Sequence, residues 1–222
     1  MRFQDAARDG RAVVYAAIQA DPLVARAADM LADAEPAMRV MARAVMNGES
    51  TERATWTAML PTLFGPTAGA APRERAEALL DVALEVAERG EAVRSQFRGA
   101  IVEELTARLL ARRTAGGAIR RERRILFDGV RAEIHPYDVT VERDGASEAY
   151  DCKWGARGIG DDVLHQLDDA RRHAEEEDAG LLVALVIFDA QRSCDVRLAR
   201  STAPVDGTRL VALESLDSLG DR

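Results

Sequence analysis

The period of the apolar residues changes once along this chain, at Gly116-Gly117. Before that point apolar residues recur at the three-to-four spacing of helices. After it a period of two dominates, which is the spacing of strands. Such a change predicts a helical region over residues 1–95 and, over residues 96–222, an α/β domain whose first helix leads directly into a sheet. The 222 residues suffice for both without disulfides or a structural metal.

Local signals place the elements. Arg2 to Ala20 is Ala-rich with helical spacing and predicts a first helix. Asp21-Pro22 pairs an N-cap acceptor with a proline suited to the first turn. Pro36 breaks or restarts that helix, which runs on to Asn47-Gly48. Ser50 starts a short helix ending before Pro61. Residues 61–72 hold three prolines and predict a loop, and Pro72 opens a helix that closes at Gly90. A helix over Glu91–Thr114 follows. Strands are predicted at Arg121–Phe127, Ile134–Arg143 and Ser147–Trp154. A Gly-rich connection, Gly155 to Gly160, leads into a helix over Asp161–Asp178. Leu181–Phe188 is a continuous apolar run that suits a buried central strand. Asp195–Ala199 and Arg209–Ala212 predict shorter strands. The order is αβββαβ with additions, a mixed sheet.

Several classes are excluded at this stage. No stretch approaches the roughly 20 apolar residues of a membrane helix. The N-terminus lacks a signal-peptide core, so the expected location is cytoplasmic. Cys152 and Cys194 are the only cysteines, which supports neither a disulfide framework nor a cysteine zinc site. His135, His165 and His173 have no zinc-ligand spacing, and His135 and His165 are expected to be structural. Net charge is −8, but residues 98–133 carry nine arginines against five acids. Arg108, Arg112, Arg113, Arg120, Arg121, Arg123 and Arg124 cluster there, and Arg157 follows in the Gly-rich connection. These are expected contacts for DNA phosphates; the alternative is a solvated helix end that complements the dipole. The helical region is rich in Ala, Leu, Val and Met and is expected to form a homodimer or to dock a partner protein.

The chemistry is expected on a hairpin. Asp144-Gly145 is a two-residue turn in which both positions tolerate positive φ. Counting outward from it, Val139 faces Tyr150 and Asp138 faces Asp151. Tyr137, Val139 and Val141 then share an apolar face with Tyr150, Cys152 and Trp154. Asp138, Asp151 and Lys153 lie on the other face, and a one-residue slip would scramble both. Val141 opposite Glu148 is the one poor match. Two carboxylates directly opposed destabilise a sheet unless a cation or a proton resolves them. A hard divalent ion such as Mg²⁺ suits such a pair. Lys153 is the single lysine beside 29 arginines, and lysine is a compact charge whose pKa can be tuned where that of arginine cannot. The alternative is a solvated polar face with a salt bridge.

Asp138 followed across a hairpin by Asp151-Cys152-Lys153 resembles the PD-(D/E)xK nuclease superfamily. Upstream, Gly99-Ala100-Ile101-Val102-Glu103 looks like the helix pattern of its Mrr and Holliday-junction-resolvase-like branch. The resemblance covers about residues 97–190. It implies a restriction-endonuclease-like fold and hydrolysis of DNA by an Mg²⁺- or Mn²⁺-dependent endonuclease, acting in phage defence, restriction or DNA processing. Glu103, Asp138, Asp151 and the Cys152 carbonyl would be metal ligands, with Glu104 the alternative helix acid. Lys153 would assist the attacking water, and Gln166 would join the site from the following helix. Tyr137 stands where the family's motif has proline, with Pro136 one place earlier. A catalytically silent nuclease-fold subunit, binding nucleic acid or partners in a larger complex, is the competing reading.

Overall fold

The computed structural model describes residues 1–6, 10–48, 52–114, 118–131, 135–205 and 207–221. The expected helix start at Ser50, the helix stop at Gly116-Gly117 and the strand start at Ile134 lie outside them. The chain divides into two units, Gly10–Leu105 and Met1–Asp9 with Thr106–Arg222. The division falls within a helix, ten residues beyond the expected boundary.

The first unit is helical: α1 (Gly10–Gln19), α2 (Pro22–Ala32), α3 (Pro36–Asn47), α4 (Arg53–Met59), α5 (Pro61–Phe64), α6 (Ala70–Ala87) and the first part of α7 (Glu91–Arg113). Asp21 caps α2 as its sequence position predicts, accepting from the Leu23 N–H at 2.8 Å. Leu31, Met41, Val45, Leu80 and Ala83 are fully buried on the helices α2, α3 and α6. Arg39 is buried among them at 2% exposure. Its guanidinium donates to the Leu31 and Ala32 carbonyls at 3.0 and 3.2 Å, adding a side-chain donor at the last carbonyls of α2. The proline-rich stretch expected as a loop contains α5. Its Pro61 takes the first-turn position that proline favours, and α6 begins at Ala70 rather than Pro72.

The second unit is built on a mixed sheet of β1 (Arg2–Asp5), β2 (Ala118–Phe127), β3 (Val130–Arg131), β4 (Tyr137–Glu142), β5 (Ser147–Lys153), β6 (Leu181–Ile187) and β7 (Arg209–Val211). The strand order is β1-β2-β4-β5-β6-β7, with β3 paired to β2. β1, β2, β4 and β5 pair antiparallel; β6 and β7 continue the sheet in parallel. Helices α8 (Asp161–Glu176) and α9 (Gln191–Leu198) follow β5 and β6. Among the described residues, no helix is long and apolar enough to cross a membrane.

Three expectations are corrected here. Arg2–Asp5 is a strand rather than the start of a helix; it lies antiparallel to β2, with Phe3 opposite Ile125. Asp195–Ala199 falls largely in a helix rather than a strand. Only Cys194 of α9 is buried, so the apparent alternation of Val196 and Leu198 did not mark two faces of a strand, and Val196 is 46% exposed. Tyr137 does not share one apolar face with its neighbours in β4. It packs into the cluster formed by Ala149, Leu185 and the inward residues Leu164 and Leu167 of α8. Tyr150 and Cys152 instead meet α7: the Tyr150 hydroxyl lies 3.0 Å from Arg113, and the Cys152 thiol 3.5 Å from the Thr106 hydroxyl.

Candidate active site

The hairpin register is the one the turn predicts. Gly145 has φ +81°, and Val139, Thr140 and Val141 pair with Tyr150, Ala149 and Glu148. Continuing that register one step brings Asp138 opposite Asp151. The poor match of Val141 with Glu148 is resolved from outside the hairpin. Arg113 forms a two-point ion pair with Glu148, with one hydrogen bond at 2.9 Å, and Tyr150 donates to the same carboxylate.

Asp138, Asp151 and Lys153 come together at the end of the hairpin remote from the turn. The Cys152 backbone N–H donates to Asp138 Oδ2 at 2.6 Å. Lys153 Nζ is ion-paired with Asp151 and lies 3.8 Å from Asp138 Oδ2. Burial alone would lower the pKa of the ammonium. The charges of Asp138 and Asp151 outweigh it and hold the group well above its ordinary value. The like-charge opposition of the two acids is therefore met by the one lysine of the chain.

A residue that sequence reasoning missed joins them. Glu122 lies in β2, where the register sets it opposite Asp138, and their carboxylates approach within 4.8 Å. Its φ of +52° is in the left-handed region that a non-glycine residue seldom enters. Only its place among the arginines of β2 could have drawn notice. Glu122, Asp138, Asp151 and Lys153 line one cleft of about 510 Å³, together with Arg157 and Asp162.

No family model, no curated protein and no solved structure matches the chain. What the site can do thus rests on its own chemistry. The carboxylates of Glu122, Asp138, Asp151 and Asp162 at the cleft offer hard oxygen donors, a set that suits Mg²⁺ or Mn²⁺ rather than a soft metal.

Each of the other expected site residues has hydrogen bonds of its own. Glu103, on α7 in the helical unit, is buried at 3% exposure and accepts hydrogen bonds from the Tyr15 hydroxyl and, at 2.7 Å, the Gln19 amide. Gln166 is buried on α8 and is not among the residues lining the cleft. It reads the backbone of residue 135 in both directions, accepting from the His135 N–H at 2.9 Å and donating to the His135 carbonyl at 3.1 Å. That clamp fixes the chain just before β4, so Gln166 positions the strand that carries Asp138. The Cys152 thiol lies against the Thr106 hydroxyl, a contact that leaves the expected role of the Cys152 backbone carbonyl untouched.

The expected basic cluster is divided. Arg113 is engaged by Glu148, and Arg123 by Glu142 and Asp5, so both serve the sheet's own ion pairs. Arg112 and Arg120 are exposed, while Arg121 and Arg124 are half-buried. Arg108 has its pKa lowered by burial first and then by the nearby charge of Arg121. An anion placed against such a pair relieves it. Of the arginines expected to contact nucleic acid, Arg157 is the one that lines the cleft.

Proposed function

We propose that this chain is a metal-dependent nuclease with a restriction-endonuclease-like sheet domain, hydrolysing DNA phosphodiesters at the cleft of Asp138, Asp151 and Lys153. The observation that carries the reading is the convergence of these three residues with Glu122 on one cleft. Opposed acids raise the energy of a sheet, and a function explains their presence. The element order α7-β2-β4-β5-α8-β6 supports the reading, since it is the order the resemblance implies, with the two-residue β3 inserted.

In this account Glu122, Asp138 and Asp151 hold a divalent cation. When bound, the ion supplies charge stabilisation for the phosphate and lowers the pKa of a bound water. Lys153, protonated beside its acids, donates to a phosphate oxygen and orients the attacking water. Arg157 sits at the same cleft as a second cationic group for the phosphate backbone. Glu103 enters through the resemblance as the helix acid.

One observation favours a second reading, a silent nuclease-fold subunit. Lys153 and Glu103 both have their partners within the chain. The deciding experiment is nicking of a supercoiled plasmid with Mg²⁺, with Mn²⁺ and with EDTA, beside a thermal melt in the same buffers. Metal-dependent nicking that Asp151→Asn abolishes supports the nuclease. Absence of both nicking and a metal-induced melting shift overturns it.

A further inference from the structure

The turn after β5 is fastened to the end of β6 at three points. The Phe188 N–H donates to the Lys153 carbonyl at 2.9 Å. Trp154 packs against Phe188 with the rings tilted by 33° and their centroids 4.9 Å apart. Asp189, 7% exposed, accepts from the Ala156 N–H at 3.0 Å through one carboxylate oxygen and from the Ala190 N–H at 2.8 Å through the other. The fastened segment is a short 3₁₀ turn, Ala156–Gly158, closed by hydrogen bonds from Gly158 to Gly155 and from Ile159 to Ala156.

Gly158, at the end of that turn, packs against the stem of Lys153. A methyl group on its α-carbon would stand 2.8 Å from Lys153 Cβ, 2.9 Å from Cγ and 3.1 Å from Cδ. These are the inner atoms of the side chain, so relief would require the lysine to leave its rotamer. A flexible four-carbon stem with this wall on one side has fewer ways to stand.

We infer that Asp189 is a positioning residue for Lys153, setting the aim of its ammonium by holding the Ala156–Gly158 turn against the lysine stem. The inference rests on the proposed nuclease site for its catalytic meaning, but its geometry stands apart from that reading. Asp189 is not among the residues lining the cleft. A carboxylate suits the position because two N–H groups point at it from different segments, and charge-assisted acceptors of backbone N–H groups are the stronger kind. An asparagine would offer one acceptor oxygen and turn a donor toward the second N–H.

Because Lys153 is the only lysine, tag-free protein grown with lysine ¹³C-labelled at the ε-carbon alone gives a single side-chain methylene signal. That signal reports the lysine's surroundings whether or not the protein cleaves DNA. Gly158→Ala acts on the stem directly and calibrates the shift of a displaced lysine. Asp189→Asn should move the signal in the same direction, and Glu148→Gln, which loosens the far end of β5, should leave it in place. Cleavage by Asp189→Asn should fall in kcat, on the order of 10²-fold for a displacement near 1 Å, with KM little changed. An unmoved signal in Asp189→Asn overturns the inference, as does an equal shift in Glu148→Gln. If the signal behaves as expected while the wild type cleaves nothing, the positioning role stands and the nuclease reading fails.

Discussion

Asp138 accepts a hydrogen bond from the Cys152 backbone N–H at 2.6 Å, and so ties β4 to the strand that bears the other acid and the lysine. The carboxylate thus has a structural partner beside its proposed chemical task, and substitutions should separate the two. Asp138→Asn keeps an acceptor oxygen of nearly the same shape and loses only the charge facing Asp151 and Lys153. Its metal-free melting temperature should lie close to that of the wild type, while the Mg²⁺-induced melting shift and DNA cleavage are lost together. Asp138→Ala removes the acceptor from a buried N–H and should destabilise by about 1–3 kcal/mol. Equal melting of the two variants would show that the Cys152 hydrogen bond carries no stability.

Lys153 neutralises two acids at once, so its variants make opposite demands. Lys153→Arg keeps the charge but presents a planar fork in a place walled by Gly158. It should fold and lose most cleavage. Lys153→Met leaves Asp138 and Asp151 opposed without a cation. It should be less stable than the wild type in EDTA and gain more than the wild type on adding Mg²⁺, because an ion bound only to the folded state stabilises it by mass action. Full cleavage by Lys153→Arg would remove Lys153 from the chemistry. A smaller Mg²⁺ gain in Lys153→Met than in the wild type would remove the acids from the metal site.

The hairpin was legible because two independent signals agreed. Asp144-Gly145 names the turn, and the alternation of Tyr150 and Cys152 with Asp151 and Lys153 leaves one register. Helix starts at Pro22 and Pro36 were legible for a similar reason, since proline's fixed φ acts locally. What could not be read depends on distant partners. Arg2–Asp5 is too short and polar to show a period; it becomes a strand by pairing with residues 123–126. Glu122 was hidden because its backbone conformation carries no glycine to announce it. Arg113 looked like a phosphate contact because nothing local reveals that Glu148 awaits it across 35 positions. Asp189 is one more acid at the end of an apolar run until Ala156 is seen to point at it.

Glu103 allows a test confined to the helical unit. Its carboxylate accepts from Tyr15 and Gln19. Glu103→Ala removes that acceptor and should lower the stability of the protein by about 1–3 kcal/mol. Glu103→Gln retains one acceptor oxygen and should recover part of that loss. If Glu103 is also the helix acid of the nuclease, Glu103→Gln will lower cleavage and the Mg²⁺-induced melting shift despite near-normal folding. If it is structural alone, both will follow the wild type. The same pair of substitutions at Glu104 serves as the comparison, because the resemblance leaves the neighbouring acid open.

The ion pair of Arg113 with Glu148 predicts how stability responds to acid. Burial alone would raise the pKa of Glu148. The hydrogen bonds from Arg113 and Tyr150, with the nearby positive charge, outweigh it and bring the group below its usual value of 4.5. The folded protein therefore binds this proton less readily than the unfolded chain. The stabilisation is fully present above the unfolded value and is lost as pH falls through the lower folded value. Melting temperature measured from pH 7 downward should hold to about pH 5 as far as this group is concerned, then decline. Glu148→Gln should melt lower than the wild type at pH 7 and show a shallower decline below pH 5, so that the two curves converge in acid. The site acids do not enter this comparison, since both proteins carry them unchanged. Parallel curves across the whole range would show that Glu148 has the same proton affinity in both states, and that its pairing with Arg113 adds nothing to the stability of the sheet.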